Sequence, residues 1–349
     1  MKKKVLLITV RSDVGGGPKH INDLLQHSQD SNVEFHVASP KSDPYGPLFS
    51  SKAQGFVSLS HRKFSPIKFI KILIYVRKNN ISIVHSHGRG AGIYSRPLKL
   101  FGLSVFHTFH GVHLPKTIKD RATIAIEIAL SYLTDRFLFV SDSERKLAEE
   151  LRICNIKKGI IIPNGILLDP KEITIKSIAT GPFKNIGIIS RFDPHKNVLK
   201  AVELFSKLVP SNPQLNLNIA GNGEQGQQIK NRVKELGIEN KVTFYGFVNS
   251  PLEFLKEQDL YLSTSLGEGL PYTVLEAMKV NTIPLLSNVP GHRDILPTQY
   301  LFDLDNIRDF LTQYNQLQVG IEHQFQNILE KNFNLIPQIK KITEVYDES

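Results

Sequence analysis

The chain has 349 residues, too long for one ordinary core and about right for two domains, and its 41% hydrophobic and 22% charged content is that of a water-soluble globular protein. A single cysteine, Cys154, excludes an internal disulfide and a cysteine-built zinc site, and points to a cytosolic chain. The net charge of +10 is uneven: residues 1–160 hold 25 Lys/Arg against 12 Asp/Glu, residues 161–349 hold 18 against 21, and the stretch between Asp43 and Asp120 has 12 Lys/Arg and no acid. Such a first half faces something anionic, namely a phospholipid surface, a phosphorylated acceptor or nucleic acid; a basic surface without a partner is the alternative.

The apolar run Val5–Val10 follows three lysines but is only six residues long, below the roughly 7–15 of a signal peptide, and reads as a buried first strand. No run approaches the roughly 20 apolar residues of a membrane span, and the longest, Ala122–Leu133, carries Glu127 in its middle. Further strands are expected at Val33–Ala38, Ile83–His85, Val105–Thr108, Phe137–Val140 and Ile160–Ile162, all apolar, as strands covered on both faces are. Helices are expected at Lys19–His27, Pro66–Lys78, Arg121–Leu133 and Glu144–Leu151, the last opened by a capping box at Ser141–Glu144. The alternation restarts with strands at Ile186–Ser190, Leu215–Ala220, Val242–Tyr245, Leu260–Ser263 and Ile283–Leu286. Its helices are Asn197–Lys207, Gln225–Leu236, Pro251–Lys256, Tyr272–Lys279 and Asn306–Leu317.

Two βαβ series imply an α/β protein of two parallel, doubly wound, Rossmann-like domains, joined after Pro163-Asn164-Gly165. The stretch 167–184 reads as a linker or surface loop. Ligands of such sheets bind beyond the carboxyl ends of the strands, so the expected active site lies in a cleft between the domains.

Gly15-Gly16-Gly17-Pro18, between the first strand and the first helix, is either a tight turn or a place where helix N-terminal amides meet a phosphate. Its spacing is not that of a dinucleotide fingerprint. Arg191 and Lys196, five positions apart beyond the first strand of the second series, could converge on a diphosphate and neutralise it as it leaves; two solvated loop cations are the alternative. Gly221 and Gly223 suit a close approach to a nucleotide or an ordinary turn. In the segment Ser265–Met278, Glu268 lies in a glycine-rich loop and Glu276 in the following helix. A carboxylate holds paired sugar hydroxyls well, and amides near Gly269 and Leu270 can meet a phosphate; a dipole partner is the ordinary reading of a glutamate there. His85, His87, His107, His110 and His113 gather at two strand ends, but with no acidic residue nearby they read as sugar or phosphate partners rather than metal ligands.

Together these residues resemble the retaining GT-B glycosyltransferases of family 4 (glycosyl transferases group 1). The shared elements are the glycine loop, His85-x-His87-Gly88, Phe109-His110-Gly111, Val140-Ser141, Pro163-Asn164-Gly165, Arg191-x4-Lys196, Gly221-x-Gly223 and Glu268-x7-Glu276, over nearly the whole chain. The resemblance implies an acceptor-side domain over 1–165, with a last helix about 336–349 crossing back to it, and a nucleotide-sugar-binding domain over 166–335. It implies that Arg191 and Lys196 grip the donor diphosphate and Glu276 the ribose. Glu268, Gly269 and Leu270 would hold the donor sugar, Gly16 and Gly17 would lie near the phosphates, and His110 would sit beside the reacting carbon. The implied reaction is front-face transfer of a hexose or N-acetylhexosamine from a nucleotide diphosphate sugar, UDP preferred, to a glycan or polyprenyl-diphosphate-linked acceptor of bacterial surface polysaccharide. No cofactor and no divalent metal are expected. The expected location is cytoplasmic, with attachment to an anionic membrane face open and Pro66–Lys78 the basic helix for it. In this chain Ser287–Asp294 replaces the family's Gly-Gly-x-Pro-Glu stretch, with Asp294 the candidate substitute. The alternatives are a nucleotide-sugar epimerase of the same fold and an inactive partner subunit. A nucleic-acid protein has no stacking motif or helix-turn-helix to support it.

Overall fold

Continuous β-branched runs can be buried on both faces only in a sheet covered by helices, and that is where the computed structural model places them. It describes residues 2–29, 31–115, 117–168, 182–318 and 325–348. The chain divides into two compact units, Met1–Asn164 with Leu335–Ser349, and Gly165–Asn334.

The first unit runs β1 (Lys3–Ile8), α1 (Gly16–His27), β2 (Val33–Ser39), α2 (Tyr45–Lys52), β3 (Gly55–Ser58), α3 (Pro66–Lys78), β4 (Ile83–His87), α4 (Arg89–Ser95), β5 (Ser104–Thr108), α5 (Ile118–Ser131), β6 (Arg136–Phe139), α6 (Asp142–Glu150) and β7 (Gly159–Ile161). The strands form one parallel sheet in the order β3-β2-β1-β4-β5-β6-β7. Val5–Ile8 have no exposed surface, and α3, α4 and the turn after α4 cover one face with Ile72, Val76, Tyr94 and Leu98.

The second unit runs β8 (Asn185–Ile189), α7 (Val198–Leu208), β9 (Asn216–Ala220), α8 (Gly226–Glu235), β10 (Val242–Gly246), α9 (Pro251–Lys256), β11 (Leu260–Ser263), α10 (Tyr272–Lys279), β12 (Ile283–Ser287), β13 (Leu301–Phe302), α11 (Ile307–Gln318) and α12 (Phe325–Asn332). Its parallel sheet has the order β10-β9-β8-β11-β12-β13. The last helix, α13 (Leu335–Asp347), belongs to the first unit, where Tyr346 packs edge-on against Phe35 and Phe106. The order reverses direction between β1 and β4, and again between β8 and β11; in open sheets these are the places where ligands bind.

Several expectations need correction. The elements α2, β3, α4, α12 and β13 were not anticipated: α2, with a Gly-Pro pair, and α4, with two glycines, are helices of only eight and seven residues, and β13 has two residues. Helix α1 begins at Gly16, so the glycine loop is itself its first turn. Glu144 N donates to Ser141 Oγ, as the cap requires, but the Glu144 carboxylate reaches beyond the cap to other partners described below. The reciprocal capping box lies at Thr117 and Asp120. Of the expected linker 167–184, residues 169–181 lie outside the described residues; Phe183 is a core residue packed against Tyr314.

Candidate functional site

In the second unit, the loops after β8 and β11 are tied together at the switch point. Leu266 N donates to His195 O at 2.9 Å, Thr264 Oγ1 to Asn197 O at 2.8 Å, and the His195 ring pairs with Gly267 O at 2.5 Å. Asp193 organises the first loop: Oδ1 accepts from His195 N and Lys196 N, and Oδ2 pairs with the half-exposed Arg191 guanidinium at 3.1 Å. The loop thus delivers Lys196 to Glu268, with Nζ 2.5 Å from Oε1.

Glu268 is mostly enclosed, and burial alone would raise its carboxyl. The Lys196 ammonium beside it outweighs burial and, with His292, holds the group at about 2, so it is a carboxylate at any physiological pH. His292 was not singled out from the sequence. It is fully buried under the loop, with Nδ1 2.8 Å from Ser287 O, and burial pushes its pKa down. Its neighbour Gly291 has φ +83°, and a Cβ there would come within 2.5 Å of Glu268 O. Glu268 N donates to Pro290 O at 3.2 Å. The variant stretch Ser287–Asp294 therefore forms the floor of the Glu268 loop, and Asp294 accepts from Gly291 N within it.

Glu276 lies on α10 and is buried, with 8% exposure. It and Glu268 act on one common group: the Tyr261 hydroxyl of β11, whose pKa is driven up by burial first and then by the charges of Glu268 and Glu276. Both predicted carboxylates lie within electrostatic reach of this strand. Gly269 and Leu270 are buried between them in sequence, ahead of a helix whose N-cap is Pro271.

The glycines after β9 have a structural reason. Gly221 (φ +129°) and Gly223 (φ +154°) lie against the β8 loop, where a Cβ would strike Ser190 O and would come within 2.5 Å of Phe192 O, respectively. Phe192 N donates to Asn222 O at 2.7 Å, so this turn buttresses the segment that carries Arg191.

In the first unit, four histidines of α1, β4 and β5 are buried, His20, His85, His87 and His107, and a fifth, His110, lies half-buried just after β5. His87 Nδ1 and His110 Nε2 lie 3.0 Å apart, and their rings stack at 5.3 Å. His85 bridges Tyr346 Oη at 2.5 Å and Thr108 Oγ1 at 2.9 Å. Burial pushes His20 down to about 4 and holds the other four well below 6.5, each reinforced by neighbouring cations or histidines. All are neutral at pH 7 and serve as hydrogen-bond partners rather than cations. The Nδ1 of His110 and the Nε2 of His87 are buried without a protein partner.

His110 has φ +58° and Gly111 φ +127°. This left-handed bend is held by Glu144, which accepts from Gly111 N at 2.5 Å and from Val140 N at 2.9 Å. Gly17 packs on the His110 ring, where a Cβ would lie 3.4 Å from Cδ2; Gly16 is exposed in the first turn of α1. Among the described residues, no group of three or more His, Cys, Asp or Glu side chains is arranged to hold a metal ion.

Comparison with known proteins agrees with this architecture. Residues 14–169 match the model of the family described as Glycosyltransferase Family 4, and residues 171–316 that of Glycosyl transferases group 1. The chain is 26% identical to the UDP-Gal:alpha-D-GlcNAc-diphosphoundecaprenol alpha-1,3-galactosyltransferase of Escherichia coli, over 93% of this chain and 90% of that one. It is 26% identical to the capsular polysaccharide biosynthesis glycosyltransferase CapH of Staphylococcus aureus, over 86% and 85%. Its fold is similar to that of Anabaena Alr3699/HepE, solved in complex with UDP and glucose, with a TM-score of 0.83 at 15% identity, over 99% of this chain and 100% of that one.

Proposed function

The chain belongs to the group 1 glycosyltransferases and has their GT-B fold of two Rossmann-like domains, and from that premise we propose that it is a retaining enzyme using a UDP-sugar. The transferred unit is a hexose or N-acetylhexosamine, and the acceptor is a glycan or polyprenyl-diphosphate-linked sugar of bacterial surface polysaccharide. The relatives support this: the E. coli enzyme is named for a UDP-galactose donor and a diphosphoundecaprenol-linked acceptor, and CapH for capsule synthesis.

The observation that carries the reading is the Lys196–Glu268 pair at the second switch point. Lys196 and Arg191 neutralise the donor diphosphate. Glu268, kept ionised by Lys196, accepts hydrogen bonds from hydroxyls of the donor sugar, and Glu276 does so for the ribose. Gly269 and Leu270 amides support the sugar, and the loop at Gly221 and Gly223 holds Arg191 in place. In the first unit, the α1 amides at Gly16 and Gly17 face phosphate, and His110 sits beside the reacting carbon of the donor sugar.

Transfer breaks the anomeric C1–O bond to the diphosphate and forms a C1–O bond to the acceptor on the same face. The acceptor's proton passes to the departing phosphate oxygen. Catalysis then rests on positioning and on charge stabilisation at the leaving group. With two cations committed to the diphosphate, the reaction needs no divalent metal, and EDTA is expected to leave the rate unchanged. Incubation with UDP-sugars and a synthetic diphosphopolyprenyl-linked acceptor, read by NMR of the new linkage, tests the proposal. An α-linked product from an α-linked donor is expected; a β-linked product contradicts retention.

A further inference from the structure

We infer that the outer face of α3 and its surroundings form a docking surface for an anionic phospholipid bilayer. Helix α3 is apolar on two sides. Its inner side is already used: Ile72 and Val76 are buried, and Phe69 and Leu73 pack on the same core. Its outer side carries a second stripe of Ile67, Ile70 and Ile74, which are 68%, 54% and 61% exposed. A water-facing side of a helix ordinarily carries polar residues, and three isoleucines at helical spacing on that side mark a contact surface.

The segment Arg89–Phe101 lies against α3 and the residues leading into it: the Phe64 ring, two positions before α3, is 4.9 Å from that of Tyr94, and Arg77 of α3 donates to Phe101 O at 2.8 Å. It touches α5 through the buried Arg96–Glu127 pair at 2.6 Å. Leu100 in that segment and Ile126 on α5 are 73% and 52% exposed.

Charge selects the partner. Lys71, Arg77 and Lys78 are exposed on α3 among the isoleucines, and the sequence between Asp43 and Asp120 carries no acidic residue. A second copy of this chain would bring like charge against like charge. An anionic bilayer accepts the isoleucines below its headgroups and the lysines at them. The inference goes beyond the transfer reaction and does not depend on the donor.

The test is sedimentation of the full chain with phosphatidylglycerol vesicles and with phosphatidylcholine vesicles. The variants are Ile67→Ser/Ile70→Ser/Ile74→Ser and Lys71→Glu/Lys78→Glu, with unchanged UDP binding and circular dichroism as the control for folding. The wild type is expected to favour phosphatidylglycerol by at least about tenfold, and each variant to lose at least about tenfold of that binding. Equal and negligible binding to both vesicles overturns the inference, as does undiminished binding by both variants. So does a wild-type dimer that the serine variant converts to monomer without any change in vesicle binding.

Discussion

Lys196 Nζ lies 2.5 Å from Glu268 Oε1, and this pair is what keeps an enclosed carboxylate ionised. Lys196→Ala leaves that charge uncompensated. The variant is expected to lose about 1–3 kcal/mol of stability by urea unfolding, less than a fully buried pair because both groups retain some exposure. It should also lose most of its UDP-sugar binding. Glu268→Gln removes the negative partner without burying a bare charge, so it is expected to lose less stability and to lower kcat more than UDP affinity.

The buried histidines give the first unit an acid sensitivity with a definite sign. Their folded pKa values lie below the ordinary 6.5, so the unfolded chain binds more protons. Their contribution to stability is fully present above pH 6.5 and is lost as pH falls below it, at about 1.4 kcal/mol per pH unit for each histidine. The melting temperature should fall steeply from pH 6.5 to 5, and less steeply in His87→Gln. A melting temperature that does not move over that range contradicts the burial of neutral imidazoles.

Glu144 holds the bend that carries His110. Glu144→Ala strands the buried N–H of Val140 and the part-buried N–H of Gly111, and is expected to cost about 1–4 kcal/mol. Its kcat should fall by about tenfold or more through misplacement of His110, with UDP affinity within about twofold of wild type. Glu144→Gln keeps an acceptor oxygen for one N–H and should recover part of the loss. Equal losses in kcat and UDP affinity would contradict a positioning role.

Gly221 and Gly223 are required by the backbone they touch. Gly223→Ala meets Phe192 O and also a φ of +154°, so it is expected to destabilise by about 1–3 kcal/mol. Calorimetric unfolding with and without UDP checks this, since the strain falls on the segment next to Arg191.

The parallel strands and most helices were legible because runs such as Val5–Ile8 and Leu260–Ser263 carry the burial in their own composition. The short α2 and α4 were not, because Gly46, Pro47, Gly90 and Gly92 hide a helical pattern that tertiary contacts impose. The Lys196–Glu268 approach was readable as two candidates but not as a pair, since 72 residues separate them. Glu144 looked like a capping-box member, and its local cap is real. Its bond to Gly111, 33 residues away, is a tertiary fact with no local signature. His292 and Tyr261 carry no motif at all; they matter because both are buried within electrostatic reach of Glu268. Glu127, which interrupts the longest apolar run, is the partner of the fully buried Arg96.

The second unit is expected to bind a uridine nucleotide through Glu276 and the Lys196–Glu268 loop. Calorimetric titration of the wild type and Glu276→Ala with UDP, and with GDP and ADP for comparison, measures this binding. The wild type should prefer UDP, and the variant should bind it about ten- to a hundredfold more weakly, as the loss of a charged hydrogen-bond acceptor requires. Equal UDP binding by wild type and variant, or no nucleotide binding by the wild type, would contradict this expectation.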